Sequence, residues 1–312
     1  MSGRPAVITH VRGMHELGPA VMAIGVFDGV HIGHQALVTD MITIARERHS
    51  AACVLTFDRD PDQVVTPSHP AKQLTTLEDK IALLSDLGPD VVLIIPFDDW
   101  LASLTPDDFC IDVLRDAAEP VACVVGFDFR FGTRASGDAD TLRALGSLHG
   151  FQVITHPLVH AEGAPVTSTR IRALVARGEV AAAAALLGRP HRLRCEVVHG
   201  KRIGHELGTP TANLTVGHEF AVPATGVYAG WATVAGERYP AAISVGISPT
   251  FPDATCDLEA HLIGFDGDLY GQSMMLEFVE RVREQQAFAS TEALAQAIAD
   301  DVAHIAALLG GG

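Results

Sequence analysis

The sequence predicts two units of different kind: an α/β domain built on a parallel sheet, then an antiparallel β-barrel that ends in a helix. Three observations carry this. Through the first half, continuous apolar runs of strand length alternate with stretches of helical spacing. From about Gly188 onward the runs become short, rich in β-branched or aromatic residues, and separated by Gly, Pro and Asp. The chain of 312 residues also exceeds the usual length of one domain.

In chain order, Val21 to Ile24 reads as a strand, Gly25 to His34 as a glycine turn, and Gln35 to Arg48 as a helix with apolar residues at helical spacing. Ala51 to Phe57 (AACVLTF) is a strand apolar throughout, as a strand covered on both faces should be. Leu77 to Leu87 is helical and stops at Gly88; Val91 to Phe97 is a buried strand; Pro106 to Arg115 is a helix with proline near its start. Val121 to Phe127, Leu142 to His149 and Phe151 to His156 read as strand, helix and strand. Helical stretches at Ala173 to Arg177 and Val180 to Leu187 end at Gly188-Arg189-Pro190, which places the boundary between a domain of residues 1–187 and one of 188–312. Cys195 to Val198, Val227 to Val234, Tyr239 to Val245, Cys256 to Ile263 and Ser273 to Phe278 are the barrel strands. Asp266-Gly267 is a hairpin-turn candidate, and a helix runs from about Thr291 to Leu309.

Composition excludes several functions. The formal charge of -16 argues against a general nucleic-acid surface, which needs clustered Lys and Arg. Anionic substrates must then be attracted locally, by helix ends, a metal or a few arginines. The five cysteines form no CxxC pair, which suits a reducing cytoplasm. Apolar runs such as Val91 to Ile95 and Ala181 to Leu187 are too short for a bilayer, which takes ~20 residues, and no membrane partner is expected.

The chemistry centres on Gly25-Val26-Phe27-Asp28-Gly29-Val30-His31-Ile32-Gly33-His34. His31 and His34, three apart at the mouth of a helix, share one face of its first turn. Helix amides and two imidazoles together can hold a phosphate, and Gly25, Gly29 and Gly33 leave space where a ligand approaches the backbone. The segment resembles the signature of the HxGH nucleotidylyltransferases, and GxFDGxHxGH most resembles that of the prokaryotic bifunctional FAD synthetases, which join a riboflavin kinase to an FMN adenylyltransferase. The resemblance implies an HxGH nucleotidylyltransferase-like first domain and a riboflavin kinase-like barrel. It also implies a nucleotide-binding set of Gly25, Phe27, Asp28, Gly29 and Gly33, joined by Ser168 and Thr169.

Two more segments follow strands of the first half. Gly126-Phe127-Asp128-Phe129-Arg130-Phe131-Gly132 is, by its chemistry alone, equally an apolar turn with a surface arginine. The family's GxDFRFG segment lines the flavin and nucleotide site, which implies flavin contacts for Asp128 and Phe129. In Thr167-Ser168-Thr169-Arg170-Ile171-Arg172, Ser168 or Thr169 can cap the next helix, and by chemistry alone the segment is equally a plain capped helix or, with hydroxyls and an arginine at a helix start, an anion site. The family's SSTxxR motif maps onto Thr167, Ser168, Thr169 and Arg172, which implies Arg172 on the triphosphate. One departure stands out in this half: where the family commonly reads TFDPHP, this chain has Thr56-Phe57-Asp58-Arg59-Asp60-Pro61, so Asp60 replaces a histidine.

In the second half, Gly208-Thr209-Pro210-Thr211-Ala212-Asn213 sets two side-chain oxygens, Thr211 and Asn213, on one side of an extended backbone, where they can share a hard cation. The segment is also a plausible plain turn. It resembles the riboflavin kinase signature, with Gly226-Val227-Tyr228-Ala229 and Pro249-Thr250-Phe251 following in family order. Glu259 matches the kinase carboxylate that accepts the ribityl hydroxyl proton; as a strand residue it could equally face solvent. Ile203, His205 and Thr209 stand in place of two arginines and a phenylalanine, and Ser244 and Ser248 in place of a common Asn and Arg.

The resemblance therefore implies an enzyme that phosphorylates riboflavin to FMN in its second half and adenylylates FMN to FAD in its first. His31, His34, Arg172 and Glu259 are the expected catalytic residues. ATP and riboflavin or FMN are the substrates, and Mg²⁺ is the expected metal at Thr211 and Asn213. Two other readings stay open: an adenylyltransferase whose barrel is impaired as a kinase or takes a flavin analogue, and a non-catalytic flavin-binding protein.

Overall fold

The computed structural model describes residues 5–9, 17–68, 70–198, 211–246 and 258–310. Of the segments singled out in the sequence, residues 201–210 and 247–257, with Ile203, His205, Thr209, Ser248, Cys256 and the PTF triplet, lie outside that set. Contacts divide the chain into two compact units, Met1–Ser168 and Thr169–Gly312.

The first unit is α/β. Its elements are β1 (Ala6–Thr9), β2 (Leu17–Ile24), α1 (Ile32–Glu47), β3 (Ala51–Phe57), α2 (Asp62–Val65), α3 (Leu77–Asp86), β4 (Val91–Ile95), α4 (Asp99–Ser103) and α5 (Pro106–Phe109). A wide π-type turn at Cys110–Leu114 and a short α6 (Arg115–Ala117) lead into β5 (Ala118–Gly126). The hairpin β6 (Arg130–Phe131) and β7 (Gly137–Asp138), α7 (Ala139–His149), β8 (Gln152–His156) and the hairpin β9 (His160–Ala161) and β10 (Ala164–Pro165) complete it. The helix expected from Pro106 to Arg115 is thus broken by that wide turn.

Among the described residues, six strands form a parallel sheet in the order β1-β4-β3-β2-β5-β8. Alternate residues of β2 enter the two layers: Ala20, Met22 and Ile24 one core, Val21 and Ala23 the other. This is why its apolar run is unbroken. The strand order runs one way from β2 through β3 and β4, and the other way through β5 and β8. The crevice outside the carboxyl ends of β2 and β5 is therefore the switch point where open α/β sheets bind ligands.

The second unit begins within α8 (Ser168–Ala176) and continues through α9 (Val180–Leu187). The strands are β11 (His191–Val198), β12 (Ala212–Thr215), β13 (Gly226–Val234), β14 (Glu237–Val245), β15 (Leu258–Leu262) and β16 (Ser273–Arg283). They close into an antiparallel barrel in the order β11-β12-β15-β14-β13-β16. Alternation explains the closure: Leu193, Cys195 and Val197 point inward, as do Leu258, Ala260 and Leu262, and the residues between them face out. The hairpin expected at Asp266-Gly267 does not form. β15 pairs with β12 and β14 rather than β16, so the connection at 263–272 has to cross an end of the barrel.

The terminal helix, Thr291–Gly310, is long and apolar enough to cross a membrane by length and composition. Here it lies on β13 and β14, burying Leu294 and Ile305, and Arg283 donates to its Asp301 at 2.7 Å. Cys53, Cys110, Cys123 and Cys195 are buried and in no disulfide, and burial pushes the Cys53 and Cys110 thiols up to about 12.

At the start of β11, His191 is 1% exposed, its Nε2 2.8 Å from the Ala221 carbonyl, and burial holds its pKa down at about 4. The unfolded chain takes up a proton near pH 6.5 that the folded chain resists until about pH 4. Stability of this unit should therefore fall as pH drops through that window, by up to about 3 kcal/mol. Thermal midpoints between pH 7 and pH 4 for wild type and His191→Asn check this: the acid-side slope should flatten in the variant, and equal slopes would show that His191 titrates like a free histidine.

Candidate functional site

The first site lies where β2 and β5 end. Helix α1 starts at Ile32, three residues earlier than expected, which makes His31 its N-cap: its Nδ1 accepts from the His34 amide at 3.2 Å. Nδ1 is then an acceptor, so the neutral ring carries its proton on Nε2. The His34 ring stacks on His31 with centroids 3.5 Å apart at 17°, and meets the Phe27 ring edge-on at 5.2 Å. Loss of hydration, followed by the nearby His31 and Lys80, holds the His34 pKa well below its ordinary value, so the ring is neutral at pH 7. Its Nδ1 is buried without a hydrogen-bond partner among the described residues.

Two of the glycines have a structural role close at hand. A Cβ on Gly33 would sit 3.2 Å from the His31 ring, and one on Gly25 would sit 3.0 Å from the Phe27 ring. They make room for the protein's own rings. Gly29 has φ +79°, a turn conformation that a side chain would strain. Phe27 and Val30 hold φ +55° and +40° without that freedom, so the loop stores strain at the point where the imidazoles are set.

Asp28 turns inward. Its carboxylate accepts from the amides of Leu74 and Thr75 at 2.9 and 3.2 Å, and it is 6% exposed. It thus ties the histidine loop to the segment before α3. Ser168 is the first residue of α8 rather than a cap before it, and its hydroxyl donates to the Asp28 carbonyl at 2.9 Å. Thr169 and Arg172 follow on the same helix, in the second compact unit. Asp60, in the position of the family's histidine, accepts from the Asp62 amide at 3.1 Å, just ahead of α2.

Lys80 was not anticipated. It is 6% exposed, and its Nζ donates to the carbonyls of Phe57 at 2.7 Å and Val26 at 3.2 Å, clasping the ends of β3 and β2. Burial brings its pKa down to about 8 against the opposing pull of Asp28, Asp60 and Asp58. A signal existed: Leu77, Lys80, Leu84 and Leu87 share one stripe of the helix, which puts a lysine at a core position.

A cavity of about 650 Å³ opens at these strand ends, lined by Gly25, Phe27, His34, Asp128 and Phe129 among others. Phe57, Phe97, Phe109 and Phe131 give it aromatic walls, and Arg130 and Arg134 give it cationic groups. Phe129 and Phe131 stack with centroids 5.3 Å apart. Five of the expected site residues are thus brought to one cavity. A volume of this size, mostly apolar with a few convergent polar groups, suits a planar heteroaromatic ligand.

The second site is on the outer face of the barrel. Glu259 stands opposite Asn213 of β12 on one side and Ser244 of β14 on the other. The Glu259 carboxylate is half-buried and makes no hydrogen bond among the described residues, and loss of hydration raises its pKa. That combination suits a proton acceptor. Thr211 and Asn213 line a neighbouring cavity of about 350 Å³ together with Asp266, Asp268 and Tyr270. Sequence reading missed these last three, because Asp266-Gly267 looked like a turn. No cluster of three or more His, Cys, Asp or Glu fit to hold a metal occurs among the described residues. A divalent ion at Thr211 and Asn213 would need further oxygen ligands, such as those of a nucleotide phosphate.

Comparison with known proteins fits both halves. The FAD synthetase family matches residues 14–170, and the riboflavin kinase family matches residues 187–309. A bifunctional riboflavin kinase/FMN adenylyltransferase from Pseudomonas fluorescens is 38% identical over 303 residues, covering 96% of this chain and 97% of its own. That of Escherichia coli strain K12 is 34% identical over 297 residues, covering 93% and 95%. A solved structure described as a macrolide-efflux protein from Streptococcus pneumoniae superposes with a TM-score of 0.84 at 29% identity, over 95% of this chain and 97% of that one. With a parallel-sheet unit carrying the histidine loop and a closed barrel carrying Glu259, the chain belongs to the bifunctional riboflavin kinase/FMN adenylyltransferase family.

Proposed function

We propose that the barrel phosphorylates riboflavin to FMN and that the α/β unit adenylylates FMN to FAD. The observation that carries the second activity is the stacked His31–His34 pair beside an aromatic cavity at the β2/β5 switch point. The flavin ring occupies that cavity against Phe129, with Asp128 at its polar edge. An oxygen of the FMN phosphate attacks the α-phosphorus of ATP; the new P–O bond forms as the bond to the β-phosphate oxygen breaks, and pyrophosphate leaves. The nucleophile is already an anion, so this chain needs no strong base. Its work is alignment and stabilisation of charge. His31 donates through Nε2, and an arriving phosphate favours protonation of His34. Arg172, with Ser168 and Thr169, is assigned to the triphosphate by its place in the TSTxxR segment.

In the barrel, Glu259 accepts the proton of the ribityl hydroxyl as its oxygen attacks the γ-phosphorus of ATP, and ADP leaves. Mg²⁺ held by Thr211, Asn213 and phosphate oxygens would neutralise charge on the phosphates. The functional boundary falls at residues 187/188, which the riboflavin kinase match beginning at 187 supports; the compact second unit takes in α8 and α9 as well. We assign the chain to the cytoplasm, with no nucleic-acid or membrane partner, on its charge of -16 and its bacterial relatives.

The test supplies purified protein with ATP, Mg²⁺ and either riboflavin or FMN. Both activities predict FMN then FAD from riboflavin, and FAD with pyrophosphate from FMN. FAD from FMN without consumption of riboflavin would instead identify an adenylyltransferase with an impaired barrel, the reading that Ser244 in place of the common Asn favours. Flavin binding with no ATP turnover would overturn the enzyme reading altogether.

A further inference from the structure

Gln285, just beyond the end of β16, reaches back across the barrel. Its Nε2 lies 2.8 Å from Ser244 Oγ, 3.2 Å from the Val245 carbonyl and 3.0 Å from the Gly246 carbonyl. Two of these partners are carbonyls and accept only, so the amide nitrogen must face them, and the side-chain orientation is settled by chemistry. Gln285 Oε1 points the other way, buried and without a partner among the described residues. An amide nitrogen only donates, and its two hydrogens are shared among these three acceptors; the Ser244 hydroxyl oxygen, the nearest at 2.8 Å, accepts. Its own O–H must be aimed elsewhere.

The neighbouring acceptor is set by strand register. Ser244 stands directly opposite Glu259, and both face outward, since Ile243, Val245, Leu258 and Ala260 fill the barrel. Residues so paired hold their Cβ atoms about 5 Å apart, within reach of a serine–carboxylate hydrogen bond after a small side-chain rotation. Glu259 makes no hydrogen bond in the free protein among the described residues.

We propose that Ser244, oriented by Gln285, is a positioning residue for the kinase reaction: its hydroxyl donates to Glu259 and fixes which carboxylate oxygen faces the substrate hydroxyl. The inference rests on the reading of Glu259 as the base. Gln285 acts only through Ser244, and the pair takes on, with a serine and a glutamine from the segment after β16, the place where the family commonly has a single asparagine.

The experiment measures riboflavin phosphorylation by the full chain for Ser244→Ala, Gln285→Met, the double variant, Ser244→Thr and Glu259→Gln, with FMN adenylylation as an internal control. Ser244→Ala should lower kcat about tenfold with KM for ATP and riboflavin within a factor of about two, the size expected for one hydrogen bond to a charged group. Ser244→Thr keeps the hydroxyl and should restore kcat. Gln285→Met should lose kcat, and the double variant should lose no more than Ser244→Ala alone. Independent, multiplying losses would overturn the coupling, and an unchanged kcat in Ser244→Ala would overturn the positioning role. Glu259→Gln separates the two levels: if it retains full kinase activity, the reading of Glu259 fails. If it is inactive while Ser244→Ala is normal, only the inference fails.

Discussion

Replacing His34 with alanine is expected to lower kcat for FMN adenylylation by a factor of about 10² to 10³, the usual effect of removing one transition-state donor. Riboflavin phosphorylation by the same protein should persist, because Glu259, Asn213 and Thr211 all belong to the other unit. The size follows from where the ring sits. His34 lines the cavity, stacks on His31 and carries an Nδ1 without a hydrogen-bond partner among the described residues. The His31 cap on α1 accepts from the His34 backbone amide, which alanine keeps. The helix start should therefore survive, and thermal unfolding of the variant should match wild type to within a few degrees. Separate chromatographic assays with FMN and with riboflavin check the split; a His34→Ala protein that makes FAD at the wild-type rate would remove the imidazole pair from the mechanism.

Glu259→Gln is expected to reduce riboflavin phosphorylation by about 10² to 10⁴, the contribution typical of a positioned base, while FAD formation from supplied FMN continues. The carboxylate has no hydrogen bond among the described residues and is partly stripped of water, which raises its pKa above that of a free glutamate. The sign of the pH dependence follows. The active form is the ionised one, so kinase activity should be lost as pH falls, and the loss should begin at higher pH than an ordinary glutamate would give. A kcat/KM profile for riboflavin between pH 4 and 8 reads this limb directly. An acid limb that persists unchanged in Glu259→Gln would assign it to another group.

The histidine loop illustrates how far local pattern reaches. The apolar run before Gly25 and the helical spacing after His34 located a strand–turn–helix, and the strand Ala51–Phe57 and helix Val180–Leu187 were legible to the residue. Boundaries blurred where chemistry overrode periodicity. The expected helix start at Gln35 moved to Ile32 because His31 itself supplies the cap. The turn at Asp266-Gly267 looked like a hairpin from its residue types, yet the barrel order separates the strands on either side of it.

The sequence by itself determined the alternation of strand and helix in the first half, the change from α/β to barrel texture, the family, and which short segments carry imidazole, guanidinium, carboxylate and hydroxyl groups. All of these depend on residues close together in the chain, where the periods of 2 and 3.6 and the turn residues act. Only the tertiary structure decided how those groups are used. Asp28 is consumed by amides 46 and 47 residues away, Lys80 clasps two strand ends, and Glu259 is left without a partner among the described residues while Gln285 takes hold of Ser244 across 41 residues. The physical reason is that a carboxylate's protonation and its free lone pairs are set by what packs against it, and those neighbours come from strands paired far apart in the chain.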